Sequence, residues 1–168
     1  MPTLKPIENL RLSSDAFGHC LLVIEFLNNF KHILTIRMYS SPNDCMWKSF
    51  SLLADHLIPT LNNFHQVSSS RDLNSLCQQL LRTALDDPGI PNPKKALTNL
   101  GQKLSEIDIT EHTFSEILRI YIRERNGFDD KLTQILSDTS FQASTADDKA
   151  EILAFLCNDL STNKRVVE

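Results

Sequence analysis

Histidine, cysteine and acidic side chains are the groups in this sequence that could do chemistry. The five histidines are scattered, and none stands four residues from another with a glutamate between them, as a helical zinc-protease motif requires. His19 and Cys20 are the nearest approach to a base and a nucleophile, but neighbouring helical residues point about 100° apart and cannot share a proton. No glycine-rich loop precedes a predicted helix, so a phosphate-binding loop is not expected.

Three pairs of adjacent aspartates could supply an acid and a base, and they occupy positions 86–87, 129–130 and 147–148. Each pair lies at the end of a predicted helix. The last two pairs stand near helix N-termini, where the helix dipole favours negative charge, so an active site is not needed to explain them. We therefore expect no enzyme activity, no metal, no cofactor and no small-molecule substrate.

Glu25 stands inside the apolar run FGHCLLVIEFLNNF, which extends from Phe17 to Phe30. Burying this carboxylate unpaired would cost on the order of several kcal/mol. The side chain is therefore solvated through a groove, paired with a base or a backbone donor, or in contact with a partner. A catalytic acid would want a second titratable group nearby, and Asn29, one turn on, is not titratable.

Apolar residues recur at spacings of three and four, and the chain has only four glycines, so the sequence predicts an all-α fold. Around the first helix the apolar residues cover most of the circumference, while Gly18, Glu25 and Asn29 share one narrow seam. We therefore predict a single compact bundle of about seven helices, with a central buried helix near 14–30. Ser13 or Ser14 is the expected N-cap of that helix.

The remaining helix boundaries follow from caps and breakers. Pro59 ends the second predicted helix, and three prolines in DDPGIPNP interrupt the chain after the third. Thr110 is the expected N-cap of a helix that Asn126-Gly127 ends, and Thr145 begins a variant of the capping box. The predicted helices after the first are 43–57, 71–85, 94–105, 111–125, 129–136 and a last one that follows Thr145.

The composition is that of a globular protein, with 41% hydrophobic and 23% charged residues and a formal net charge of −4. This charge provides no overall cationic field for nucleic acid, and no apolar run approaches the roughly 18 residues of a membrane span. We expect neither a signal peptide nor membrane binding.

Four widely spaced cysteines are predicted to be reduced small hydrophobes, as in an intracellular protein: Cys20, Cys45, Cys77 and Cys157.

The first helix resembles that of the DDT domain, in which a phenylalanine precedes an apolar run ending in Glu-Phe-Leu. The matching positions are Phe17, Leu21, Leu22, Val23, Glu25, Phe26, Leu27, Phe30 and Leu34. The segments LCQQLLRTALDDPGIP, LSEIDITEHTFSEILRIYI and LSDTSFQASTADDKAEILAFLCNDLSTNKRVV are similar to the DDT region of bromodomain-adjacent-to-zinc-finger (BAZ-type) chromatin proteins. From about Thr110 onward the chain also resembles the WHIM motif that follows DDT in remodelling subunits.

The resemblance implies a DDT-type helical domain over 10–167, with a DDT core at 10–90 and a WHIM-like part at 94–165 that shares the same core. It implies a nuclear, non-enzymatic scaffold of a regulatory subunit that docks onto the SANT-SLIDE region of an ISWI-type remodelling ATPase. Some WHIM-containing relatives also touch linker DNA. The bromodomain, zinc finger and methyl-DNA-binding portions of such proteins are absent from this sequence, so acetyl-lysine reading is not expected of it.

Two sets of candidate contact residues follow. For a protein partner they are Glu25, Asn29, Arg119 and Arg123. The alternative is a DNA-binding patch in which Lys94, Lys95, Lys131, Lys164 and Arg165 join the two arginines to neutralise phosphates. Seven acidic residues lie between Lys94 and Lys131, which favours a mixed solvated surface over a basic patch.

Overall fold

The computed structural model describes residues 12–38, 57–58, 61, 67–85 and 102–162, with side chains except at 31–38, 67–70 and 105. All regular structure in these ranges is helical, which confirms the predicted fold class. The five α-helices are α1 (Ser14–Met38), α2 (Val67–Leu85), α3 (Phe114–Asn126), α4 (Lys131–Asp138) and α5 (Ala146–Ser161). A single 3-10 helix, Leu104–Glu106, precedes α3.

The predicted count of about seven helices is not met, because the described ranges hold these five α-helices and three further helical residues, 57, 58 and 61. The predicted helix at 43–57 lies outside these ranges except for its last residue, and most of the one at 94–105 does too. Where the latter enters the described chain it forms only the 3-10 helix Leu104–Glu106, because Ile107 adopts an extended backbone (φ −94°, ψ 131°) and ends it. Apolar spacing alone does not reveal such a short element.

Side-chain caps begin three of the helices. The Ser13 hydroxyl accepts from the amide of Ala16 at 3.2 Å, as predicted for α1. Thr145 caps α5 by accepting from the amide of Asp148 at 3.2 Å, and its own hydroxyl donates to the Asp148 carboxylate at 2.7 Å. At α4, the Asp130 carboxylate accepts from the amides of Leu132 and Thr133 at 3.0 and 3.2 Å. These caps are local, which is why the sequence locates those at Ser13 and Thr145. The cap at Asp130 was not predicted, and α4 begins two residues after the expected start at 129.

The start of α3 differs from its prediction. The helix begins at Phe114 with Thr113 as its N-cap, three residues after the expected start. Thr110 and Thr113 bond each other, since each hydroxyl accepts from the other residue's amide, at 2.9 and 3.3 Å. The Thr113 hydroxyl also donates to the carbonyl of Asp108 at 2.6 Å. The bond from the Thr113 amide is the one that an N-cap at Thr110 would accept, but the Thr113 hydroxyl ties the turn back to Asp108, and the regular helix starts only at Phe114.

The most enclosed helix is α5, which packs against α1, α2 and α4. The prediction of a central helix near 14–30 that is buried nearly all round is therefore wrong. Helix α1 buries one face against α5, while Leu21 on its other side is 51% exposed. The buried residues of α1 are Ala16, Cys20, Val23, Phe26 and Leu27. Leu22, Ile24 and Phe30 are only partly buried, because a helix that packs along one side cannot enclose its whole apolar circumference.

The cysteines behave as predicted where they are described. Cys20, Cys77 and Cys157 are buried free thiols on α1, α2 and α5, and Cys45 lies outside the described residues. Burial raises the pKa of the Cys20 thiol to about 11 and raises the thiol pKa of Cys77 and Cys157 further. These side chains are packing residues and not nucleophiles.

Candidate interaction surface

The question raised by Glu25 has a simple answer, because its carboxylate faces solvent. Glu25 and Asn29 are both exposed, one turn apart on α1, and Gly18 and Asn28 are exposed on the same helix. Within the described part of the chain no ion pair is made by Glu25. Glu25 therefore interrupts the apolar run on the side of α1 that faces away from the core. This exposed side of α1 combines polar groups with the accessible Leu21.

Arg119 lies on the outer side of α3 in a two-pronged ion pair. Its Nε and guanidinium NH2 groups donate to the two carboxylate oxygens of Glu116 at 2.8 and 2.6 Å. Hydrogen bonding to Arg119 lowers the pKa of the Glu116 carboxyl, and the same bonds raise the pKa of the arginine. Its charge is thus partly neutralised before any partner arrives.

Arg123, one turn further along α3, is held by two neighbours. Its guanidinium donates to Glu124 at 3.0 Å and lies over the ring of Phe128, 4.9 Å from the ring centroid. The Nε atom is buried and has no hydrogen-bond acceptor. Stacking on the ring fixes this side chain more than bonding does.

The four predicted protein-contact residues fall on two different helices. Helix α1 packs chiefly against α5, whereas α3 packs chiefly against α4. Among the described contacts, none joins the pair Glu25 and Asn29 to the pair Arg119 and Arg123. The two pairs are therefore two candidate contact surfaces.

The basic residues proposed for DNA have little support in the described ranges. Lys131 is exposed but pairs with Glu151 at 2.5 Å. Lys94, Lys95, Lys164 and Arg165 lie outside the described residues, so the DNA alternative stays a prediction. Residues 102–162 contain six basic and twelve acidic residues, a balance that repels phosphates.

A polar cluster between α3 and α5 was not predicted. The Tyr121 hydroxyl and the Arg125 guanidinium both donate to the carboxylate of Asp159, and Tyr121 is completely buried. Burial, and then the bond to Asp159, raise the pKa of the Tyr121 phenol far above its usual range. The apolar spacing of α3 placed Tyr121 in the core correctly, but nothing in the spacing indicated which acid its hydroxyl would meet.

Lys149 is a second residue that sequence reasoning missed, since it is fully buried on α5. Its ammonium donates to the carbonyls of Gln142 and Ser144 at 3.0 and 2.5 Å and lies 5.6 Å from the ring centroid of Phe141. Burial lowers its pKa to about 8. The lysine therefore ties the loop before α5 to the helix itself.

No group of His, Cys, Asp or Glu among the described residues could hold a metal ion. The helices of the described ranges include none long and apolar enough to cross a membrane. His19 is half-buried beside Cys20, whose raised pKa makes it a poor nucleophile.

Comparison with known proteins places these elements in a family context. Residues 127–167, which include α4 and α5, match the family WHIM1, the first motif shared by proteins that include WSTF, Itc1p and MBD9. The chain is 34% identical over 168 residues to Bromodomain adjacent to zinc finger domain protein 2B of Homo sapiens. It is 35% identical over 176 residues to protein 2A of Mus musculus and 32% identical over 168 residues to protein 2 of Caenorhabditis elegans.

Each of these three alignments covers 99% of this chain but only 7%, 8% and 11% of the respective relative. No solved structure matches the chain. The chain therefore corresponds to one short region of much longer proteins. The resemblance to the BAZ-type DDT and WHIM region is thereby confirmed, and residues 127–167 carry its first WHIM motif.

Proposed function

We propose that this chain is a non-catalytic, nuclear scaffold module of a chromatin-remodelling regulatory subunit. It docks onto the SANT-SLIDE region of an ISWI-type ATPase. The observation that carries the proposal is the similarity of nearly the whole chain to BAZ proteins, with the first WHIM motif at 127–167.

The packing of α5 supports the proposed domain extent. This helix lies inside the WHIM match, and it packs against α1 and α2, which lie in the N-terminal half. We propose one domain over 10–167, in which a DDT core at 10–90 and a WHIM-like part at 94–165 are built around shared apolar residues. Because the two parts would share one core, we expect that neither part folds stably without the other.

The exposed side of α1 is the first proposed contact with the ATPase. Glu25 offers an exposed carboxylate and Asn29 an amide one turn away, with Leu21 accessible on the same helix. This combination suits a partner that presents a lysine or arginine next to an apolar side chain. Arg119 and Arg123 form the second proposed contact, where they set register and association rate more than affinity, because Glu116 and Glu124 already pair with them.

Calorimetric titration of the intact chain with the C-terminal region of an ISWI-type ATPase tests the proposal. We expect a dissociation constant in the micromolar range or below, and a loss of about fivefold or more in Glu25→Lys, because charge reversal replaces an attraction by a repulsion. Asp138→Lys is the matched control, since Asp138 is exposed on α4. No binding at micromolar concentration would overturn the proposal.

A parallel titration with duplex DNA at two salt concentrations addresses the alternative function. A phosphate-binding surface would lose affinity steeply as salt rises. Negligible binding at the lower salt concentration would remove the DNA alternative.

A further inference from the structure

Phe128 is the most exposed large apolar side chain in the described part of the molecule. It is 73% exposed and lies in the short turn between α3 and α4. An aromatic ring left in water forgoes the stabilisation that burial would give it, so its exposure calls for a physical explanation such as docking. The surrounding turn, from Asn126 to Asp130, is called the Phe128 turn below.

The backbone of the Phe128 turn is fixed by several bonds. Gly127 has a φ of 97° and a ψ of 175°, a conformation that is essentially restricted to glycine. Its carbonyl accepts from the Thr133 hydroxyl at 3.2 Å, and the Asn126 amide group donates to the Asp130 carboxylate at 3.2 Å. The turn therefore presents its ring in an ordered position, which reduces the entropy lost on binding.

Arg123 covers one face of the Phe128 ring and leaves the other accessible. The guanidinium carbon lies 4.9 Å from the ring centroid, and Glu124 holds the same guanidinium at 3.0 Å. These contacts hold the guanidinium against that face of the ring. A second side chain can therefore stack on the open face of Phe128 without displacing Arg123.

Residues 123–131 hold three acidic and three basic side chains, and each of them except Asp129 already bonds a partner in the described part of the chain. Asp129 follows Phe128 directly, is exposed, and makes no ion pair with the described residues. Residues 102–162 as a whole contain twice as many acidic as basic residues. A nucleic acid, or a second copy of this chain in which two such turns meet, would bring like charges together. A basic protein segment would not.

We propose that the Phe128 turn is a docking surface for a basic segment of a partner protein. The segment places an apolar side chain on the open face of Phe128 and lysine or arginine side chains beside Asp129 and Glu124. This inference deepens the proposed function and rests on it only for the identity of the partner. Arg123 supports the ring, so the second proposed contact, of Arg119 and Arg123, extends to the Phe128 turn.

Binding to two probes tests the inference. One probe is the C-terminal region of the ISWI-type ATPase, and the other is a synthetic peptide of eight alternating lysine and leucine residues. Phe128→Ser is expected to weaken binding of both about tenfold, because the ring supplies the apolar contact. Asp129→Asn is expected to weaken it about two- to threefold and to reduce its salt dependence. Asp138→Asn is the matched control for the charge change, since Asp138 is exposed on α4 and belongs to neither proposed surface.

The outcomes separate this inference from the proposed function. If the ATPase region binds wild type and Phe128→Ser equally well, the turn is not the docking surface, while the proposed function stands. If the ATPase region does not bind at all, the proposed function fails and the peptide decides. Weaker binding of the peptide to Phe128→Ser than to wild type supports the docking surface. Equal binding of the peptide to both proteins, or no binding of the peptide to wild type, overturns it.

Discussion

Replacing Asp159 with alanine tests whether one polar cluster joins α3 to α5. The carboxylate accepts from the Tyr121 hydroxyl and from the Arg125 guanidinium, and the Asp159 side chain is only 13% exposed. Because Tyr121 is completely buried, its hydroxyl has no access to water once the acceptor is gone. The substitution therefore removes two bonds and leaves one buried donor unsatisfied.

The expected loss of stability follows from these contacts. A neutral hydrogen bond contributes about 1 kcal/mol and one to a charged group about 1.5–3 kcal/mol, and the partial exposure of Arg125 favours the lower value. We expect Asp159→Ala to lower the free energy of unfolding by about 3 kcal/mol. For a chain of this size that corresponds to a fall of roughly 6–12 °C in melting temperature. Tyr121→Phe, which keeps the ion pair but removes one bond to the carboxylate, is expected to cost about 1.5 kcal/mol.

Urea unfolding followed by circular dichroism measures both single variants and the double variant. Since the two residues bond each other directly, their effects should be non-additive in the double-mutant cycle. Asp138→Ala is the control and should stay within about 0.5 kcal/mol of wild type, because Asp138 is exposed. A loss below about 1 kcal/mol in Asp159→Ala, or strictly additive effects, would refute the reasoning.

Three further predictions concern stability. Gly127→Ala should lower the free energy of unfolding by about 1–3 kcal/mol, because Gly127 has a positive φ. Gly18→Ala should raise the free energy of unfolding by about 0.5–1 kcal/mol, because an added methyl group meets nothing within 4 Å in the helix. Urea titration that gives both variants a change of the same sign would contradict this prediction. Lys149→Ala should lower the free energy of unfolding by about 3 kcal/mol in the same assay, because it leaves two carbonyls without their donor. The control Lys103→Ala should lower it by less than about 0.5 kcal/mol, because Lys103 is exposed. Burial raises the pKa of Cys20 from 9.0 to about 11, so the native chain keeps a proton that the unfolded chain loses, and the free energy of unfolding should fall as pH rises through this window. A Cys20→Ala variant with an undiminished alkaline loss would show that this thiol is not a cause.

The helix ends show what local sequence can predict. Ser13 and Thr145 cap their helices as expected, and Gly127 ends α3, because each effect depends on residues within one turn. The start of α3 was missed for a related reason. Thr110 met a second threonine, Thr113, and the two together formed a closed turn that a single-residue rule does not foresee.

The surfaces were harder to predict than the helices. The sequence correctly separated Glu25 and Asn29 from the apolar residues of α1. It predicted them on a narrow polar seam of a central buried helix, whereas they lie on the broad exposed side of a helix that packs along one face. Phe128 escaped notice because an isolated aromatic after a glycine gives no periodic signal. It lies in the turn between α3 and α4, outside the periodic pattern of either helix.

Periodicity, caps and composition by themselves determined the helical class, the buried thiols and four helix ends, namely the starts of α1 and α5 and the ends of α2 and α3. The similarity to BAZ-type proteins rested instead on the resemblance of whole sequence segments. These properties depend on residues close in the chain, or on patterns repeated along it. Only the tertiary structure decided that α5 is the enclosed helix, that Asp159 meets Tyr121, and that Phe128 stays in water. These are contacts between residues far apart in sequence, and which apolar face meets which is settled by packing of whole helices, not by the spacing within any one of them.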